Sequence, residues 1–356
     1  MKKLFVLVPA IVLGLFLLNS FVLKEKETAK KTTKASKTVV LRSTDGGQTW
    51  QDISKGLPER LQGTGVWGRV LTNDRGLYLN AGNGLYHTNP NAKTSFWTKE
   101  AFAGNQRQIA LGNNGIFAYN FKGQFLKRIN GKSNWSPMYT DFQEQALRID
   151  KTTDYTYEKF GVKEVRTIFE TAGGTVFIGS NNVFFRSADK GKTWKPVQVG
   201  DGAMKLAELN GVLLSTSKKG ILRSTDDGQT WDDVLSEWGA GIAVERINGG
   251  FAAIINNPIN NTNSLHISLD SGKTWNVIGE ELRPSWISSL IRPQPSSDIY
   301  SIKQAGKYLI SGRSDGIFRS ADMGKTWEKL VLPKENFGFN LSVSGNVIYA
   351  MPGKGC

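Results

Sequence analysis

The chain has almost no cysteine: one in 356 residues, and that one is the terminal Cys356. No intramolecular disulfide is possible, so packing and strand pairing must hold the fold. A terminal thiol could join two chains, but an incidental residue is the simpler reading, and a monomer is expected. Histidine is nearly as scarce, with only His87 and His266. Both fall on or near strand-turn positions, so His-based catalysis and a His-rich metal site are unsupported. Nothing calls for a cofactor or a metal. No nucleic-acid-binding module is recognisable, although a formal charge of +14 would suit such a partner.

What the chain does have is one phrase, Ser-x-Asp-x-Gly-x-Thr-Trp, written five times. The copies run from Ser43 to Trp50, Ser187 to Trp194, Ser224 to Trp231, Ser268 to Trp275 and Ser320 to Trp327. A fixed phrase recurring every few tens of residues marks a stacked or radial repeat. A short apolar or aromatic run precedes each copy, such as Val183-Phe184-Phe185 or Ile317-Phe318, and rough polar–apolar alternation follows. That pattern predicts a strand, a tight turn and a second strand. In the turn the Asp can accept hydrogen bonds from backbone N–H groups one or two residues on. The Gly supplies a geometry that a side chain would obstruct. The Trp is an apolar plate suited to a seam between repeats. Equivalent copies in every repeat cannot converge on one site, so Asp45, Trp50, Asp189, Trp194, Asp226, Trp231, Asp270, Trp275, Asp322 and Trp327 are read as structural.

The phrase resembles the Asp-box (BNR) repeat of sialidases, sortilin-type receptors, two-propeller xyloglucanases and photosystem assembly factors. All are β-propellers with different jobs, so the resemblance implies a fold more than a function. In that family the box lies between the third and fourth strands of a blade, on the face away from the ligand. Trp50, Trp97, Trp135, Trp194, Trp231, Trp275 and Trp327 are spaced 47, 38, 59, 37, 44 and 52 residues apart, which makes seven units. Two of them, Tyr86 to Trp97 and Phe125 to Trp135, keep the frame without the consensus. The ends complete each other: 345–355 reads as the first half of a unit and 39–53 as the second half. The expected fold is therefore an all-β seven-bladed propeller over 39–356, closed by pairing of the terminal strands, which leaves no long open edge.

Ahead of it, Met1-Lys2-Lys3 precedes an uncharged run from Leu4 to Leu23. As a helix this run would span about 30 Å, the thickness of a bilayer core. A cleaved signal peptide and an uncleaved anchor both fit residues 1–23. The lack of a small-x-small cleavage site favours the anchor, and no nearby cysteine could carry a lipid. Residues 24–38, rich in Lys, Thr and Ala, read as a solvated tether. Lysines on both sides of the run blur its orientation. The dibasic start before an apolar core favours export, with the domain facing the periplasm or cell exterior, or secreted if the segment is cut. The first 38 residues hold eight lysines against Glu25 and Glu27, leaving a surplus of eight positive charges on the rest. Such a surplus suits acidic protein surfaces, anionic glycans or lipid head groups.

Inner strands, which line a propeller's channel, are expected at 66–71, 107–111, 164–170, 204–209, 242–247, 298–304 and 339–343. Arg69, Arg107, Arg166 and Arg246 lie on or beside them, next to acids such as Glu208 and Glu245. Converging guanidiniums would receive a carboxylate or sulfate; alternatively the charges pair among themselves. Two long connections, 136–163 and 276–297, carry Tyr139, Phe142, Tyr155, Tyr157, Phe160, Trp286 and Arg292. These aromatics either bind a ligand or plug gaps beneath the loops. The ligand-site candidates are thus Arg69, Arg107, Arg166, Arg246, Trp286, Arg292, Tyr155 and Tyr157, with no catalytic residue assigned. Sialidases are six-bladed and carry an Arg-Ile-Pro segment upstream of the first box, and neither feature is read here. Xyloglucanases of this type use two propellers. A two-carboxylate glycosidase acting on anionic sugars stays open as the alternative. The preferred expectation is a non-catalytic binding or assembly scaffold for a protein or anionic glycan.

If the ends share a blade, deleting the last ten residues destroys the whole fold. A cooperative thermal unfolding transition that survives the truncation would show that the ring closes another way.

Overall fold

The structure, a computed structural model, describes residues 38–61, 68–73, 76–81, 84–89, 96–100, 108–112, 115–120, 124–129, 134–138, 141–142, 144–145, 165–180, 183–199, 205–236, 239–257, 262–278, 299–332 and 338–352. The apolar segment 1–23 and the tether up to residue 37 lie outside them. Among the described residues no helix is long and apolar enough to cross a membrane. Lys37–Cys356 forms one compact unit.

The repeating unit is a four-stranded antiparallel meander, and seven of them are present among the described residues. Blade 4 shows the pattern: Leu206–Leu209 innermost, then Val212–Ser217, Gly220–Ser224 and the outer Asp232–Leu235. Its inner hairpin pairs Leu209 with Val212, and its box turn joins the third strand to the fourth. The inner strands of blades 1 to 7 are Gly68–Asn73, Gln108–Gly112, Thr167–Glu170, Leu206–Leu209, Ala240–Ile247, Ile299–Ala305 and Phe339–Ser344. Each stands within about three residues of its expected place. Blade 7 is the shared one. Its inner half is Phe339–Ser344 and Val347–Pro352; its outer half is Leu41–Ser43 and Gln51–Asp52. Leu41 faces Ala350, Arg42 faces Tyr349 and Ser43 faces Ile348 across the junction. Residues ahead of this strand are strapped down, because the N–H groups of Val39 and Val40 both donate to Ser54 Oγ, at 2.8 and 3.0 Å.

The box turn has a fixed internal chemistry. In the copy beginning at Ser187, Ser187 Oγ donates to Asp189 (2.7 Å) and accepts from the Gly191 N–H (2.8 Å). Asp189 accepts from the N–H groups of Lys192 and Thr193 (3.1 and 2.9 Å) and from Thr193 Oγ1 (2.7 Å). The other four copies repeat the bonds from Ser to Asp, Gly to Ser and Thr to Asp. The backbone donors to Asp thus lie three and four residues on, not one or two. The reason is a pair of consecutive left-handed residues that lengthens the loop. Lys190, Asp227, Ser271 and Met323, at the fourth position of their boxes, have φ between 59 and 64°. The glycine that follows is left-handed as well, and it is also crowded. A Cβ on Gly228 would sit 2.3 Å from Phe177 Cζ, and one on Gly47 would sit 2.4 Å from Leu330 Cδ1. Those contacts belong to the blade before. Hydrogen bonds from the Thr side chain and backbone hold Asp45, Asp189 and Asp322 down to about 2, from an ordinary 3.8, and lower Asp226 and Asp270 by the same cause.

The buried apolar side chains among the described residues form seven clusters, one at each seam between neighbouring blades. Both faces of a blade are covered. In blade 3, Val176 and Ile178 pack toward blade 2, while Phe177 packs toward blade 4. The seven tryptophans that mark the units all stand in these seams, each against the preceding blade. Trp231 meets Phe177 and Phe184 edge-on, with ring centroids 6.1 and 5.2 Å apart. Three seams carry a further latch that the sequence reading passed over. An arginine just ahead of a box serine reaches the fourth-position carbonyl of the next blade's box: Arg186 to Asp227 (2.8 Å), Arg223 to Ser271 (2.8 Å) and Arg319 to Gly46 (3.0 Å). Between blades 1 and 2, which lack consensus boxes, Glu100 instead receives Arg128 at 2.5 Å and faces His87 Nδ1 at 3.0 Å.

Gly228 and Gly249 have the same φ of 78°, but nothing lies within 4 Å of a Cβ on Gly249. Gly249→Ala should cost about 1–2 kcal/mol for the left-handed backbone alone. Gly228→Ala should cost about 3 kcal/mol or more, because the clash with Phe177 adds to it. Equal shifts in urea midpoint would refute the close approach. The box carboxylates contribute their full stability above about pH 4, and that contribution is lost as pH falls from 3.8 toward about 2. Asp189→Asn should therefore be less stable than wild type at pH 7 and lose less between pH 4 and 2, as read by thermal melts.

Candidate functional site

In a four-stranded meander the start of the inner strand, the end of the second and the start of the third share one rim. The inner hairpin and the box share the other. Blades 5 and 6 run in the same sense, since Asn248 Nδ2 in one inner hairpin donates to the Gly306 carbonyl in the next (2.8 Å). Strand register therefore tells which end of the channel each charge occupies. Arg69 is the second residue of its inner strand, and Arg166 and Lys205 directly precede theirs. Glu170, Glu208 and Glu245 lie in the later halves of theirs, toward the boxes. The described inner strands thus begin with cations, while acids and the cations that accompany them stand toward the boxes.

At the mouth, a residue that was not a candidate bonds the main chain of one candidate arginine and lies within the field of another. Tyr119 ends the second strand of blade 2, Gly115–Tyr119, and its ring is buried in the seam with blade 3. Its hydroxyl donates to the Arg166 carbonyl at 3.3 Å, and the Arg166 N–H donates to the Gly179 carbonyl at 2.8 Å. Burial pushes the Tyr119 phenol up to about 12, against the opposing charge of Arg69 from blade 1. Arg166 is exposed and Arg69 half-buried. Beside them, Asn120 closes the outer turn of blade 2 through Gln124: Nδ2 donates to Gln124 Oε1 (2.7 Å) and Oδ1 accepts from the Gln124 N–H (3.2 Å).

Arg246 does not join this pair. It lies in the last part of Ala240–Ile247, opposite Phe251 and near the inner hairpin, so it stands at the box end. The acids at that end have partners. Glu245 pairs with Lys303 of blade 6, Glu208 accepts from the Ala172 N–H at 2.7 Å, and buried Glu170 faces Lys127 at 3.5 Å. Arg107, Tyr155, Tyr157, Trp286 and Arg292 lie outside the described residues. From the first long connection, Phe142 is a plug: it packs edge-on against Phe125, Phe185 and Trp194 at 5.6, 5.0 and 6.1 Å. Among the described residues no three His, Cys, Asp or Glu side chains gather as metal ligands. Alternation from Phe117 puts Tyr119 on the face toward blade 3, and its place at the end of the strand puts it at the mouth, a signal the sequence carried.

The family model of the BNR/Asp-box repeat matches residues 41–52. Among solved structures, the chain is similar to YCF48 bound to a D1 peptide, at 14% identity and a TM-score of 0.51, covering 82% of this chain and 95% of that one. It is similar to YCF48 from Cyanidioschyzon merolae, at 14% identity and a TM-score of 0.53, with 89% of each chain covered. It is also similar to the GH74 xyloglucanase from Xanthomonas campestris, at 14% identity and a TM-score of 0.55; the match covers 82% of this chain and half of that one. No curated protein sequence matches. Identities this low establish the seven-bladed propeller and leave its use to the side chains.

Proposed function

From a seven-bladed propeller built on Asp-box turns, we propose a non-catalytic scaffold that binds an acidic segment of a partner protein at the channel mouth. The observation that carries this reading is the separation of charge along the channel. Arg69 and Arg166 stand at the mouth-side starts of two inner strands, while the acids Glu170, Glu208 and Glu245 are engaged toward the boxes. Guanidiniums held on neighbouring strands suit carboxylates, because two parallel N–H groups match two oxygens. The likeness to a YCF48 solved with a D1 peptide supports a peptide over a sugar, since it covers nearly that whole chain. A glycosidase needs two free carboxylates flanking the scissile bond, and these three acids are paired or hydrogen-bonded away from the mouth. An anionic glycan is the other occupant the same charges would suit. The uncharged run from Leu4 to Leu23 would hold the exported propeller at a membrane through the lysine-rich tether.

On an array of acidic and neutral peptides, the purified chain should retain the acidic ones, more weakly as salt rises. Replacing Arg69 and Arg166 together by Ala should cost about tenfold or more in affinity, since charged hydrogen bonds are lost. Arg246→Ala should stay within about twofold of wild type, because its charge stands at the other end of the channel. Turnover of a glycan, abolished by replacing an acidic residue, would overturn the scaffold reading.

A further inference from the structure

Three described arginines lie over aromatic rings, and two of them also have acceptors. Arg128 rests over Tyr78 and Trp135, at 5.7 and 5.2 Å, and donates to Glu100 and to the Tyr78 hydroxyl. Arg319 rests over Tyr308 at 4.7 Å and donates to the Gly46 carbonyl and to Glu328. Arg313 rests over Phe318 at 4.4 Å and Trp327 at 5.0 Å, yet among the described residues its guanidinium has no acceptor. Its Nε is buried without a partner, and so is Oγ of Ser311, two residues back on the same strand. Buried polar atoms left in this way are rare in native folds. Burial pulls the guanidinium below its ordinary range, against the raising effect of Asp315. Asp315 itself stands 3.7 Å from Lys329. Asn263 of blade 5 bonds the carbonyl of Ile299, the residue opposite Arg313, but its Oδ1 is already taken by Asn256. Arg313 ends the second strand of blade 6, across from Ile299 and Gly316, so it stands on the mouth rim with part of its surface in solvent.

Resting on the scaffold reading above, we infer that Arg313 is a separate carboxylate site on the rim of blade 6, where a Glu or Asp side chain of the acidic peptide completes the unfinished ion pair. Phe318 and Trp327 hold the guanidinium, and the buried Nε leaves the two terminal nitrogens as the approach. A carboxylate meets them end-on through two parallel N–H bonds. The charge is kept ready at a cost to the unbound fold, as expected of a group held for a ligand and not for packing. Arg128, its counterpart between blades 1 and 2, has its carboxylate inside the protein and takes no part.

The test is a fluorescence titration of the full chain with a hexaglutamate peptide at low salt, run beside thermal melts. Arg313→Met keeps an apolar stem over the two rings and removes the charge. It should bind about tenfold more weakly, as expected for lost charged hydrogen bonds, and melt no lower than wild type. Arg128→Met should do the reverse: it strands Glu100, so the melt falls while affinity stays within about twofold of wild type. Arg313→Lys keeps a charge but not the paired N–H groups, and should stay weaker than wild type by about threefold or more. Wild-type affinity in Arg313→Met overturns the inference, and the loss caused by Arg69→Ala with Arg166→Ala then leaves the scaffold reading standing. Should Arg313→Met melt well below wild type, Arg313→Lys decides: a recovered melt with affinity still low sustains the inference, and any other result overturns it. Failure of the wild-type chain to retain hexaglutamate at low salt sinks both proposals together.

Discussion

Each box turn presses its main chain against a core side chain of the preceding blade, and the closure of the ring depends on that approach. Gly228 against Phe177 and Gly47 against Leu330 leave no room for a β-carbon. The turn can come so close because its own polar groups are satisfied internally, Ser to Asp and Thr to Asp. Were they not, burying them beside a phenyl ring would carry a large desolvation cost. The tryptophan then covers the seam from the same turn, and Arg186, Arg223 and Arg319 tie the turn's carbonyl back to the neighbour. One eight-residue phrase therefore serves as hairpin, seam filler and latch.

This explains why so much of the fold could be read in advance. The Asp, Gly and Trp of the box act within one turn and its immediate neighbour, so local sequence carries them. Even the blades without a consensus box keep Trp97 and Trp135 in the seam. The left-handed fourth position escaped notice because Lys190, Asp227, Ser271 and Met323 share no side-chain chemistry; only the backbone is common. The site was harder for a related reason. Arg69, Arg166 and Arg246 look alike in sequence, yet strand register sends the third to the other end of the channel. Register is set by hairpin geometry, which residue counting resolves only to within a few positions. Tyr119 was passed over because a tyrosine at the end of an apolar strand reads as core, and its ring is core.

A channel wall made of strand ends places charges without help from loops. Arg69 and Arg166 belong to different blades, so their separation is set by the packing of everything between them, including Phe117, Phe185 and Trp194. Rigid elements hold a binding geometry more closely than loops do. The acids at the far end are drawn into seam contacts, Glu245 with Lys303 and Glu170 with Lys127. They contribute to holding blades together.

The shared blade also sets an order of events for a growing polypeptide. Among the described strands Leu41–Ser43 is the first in chain order, and its partner Val347–Pro352 is the last. Until Val347–Pro352 has been made, the early half-blade has a bare edge and an apolar surface at Val39, Val40 and Leu41. Contacts joining residues so far apart in sequence form slowly, and an unpaired edge can recruit a neighbouring molecule in the meantime. A nascent ring of this design therefore keeps a strand edge open until the final hairpin arrives.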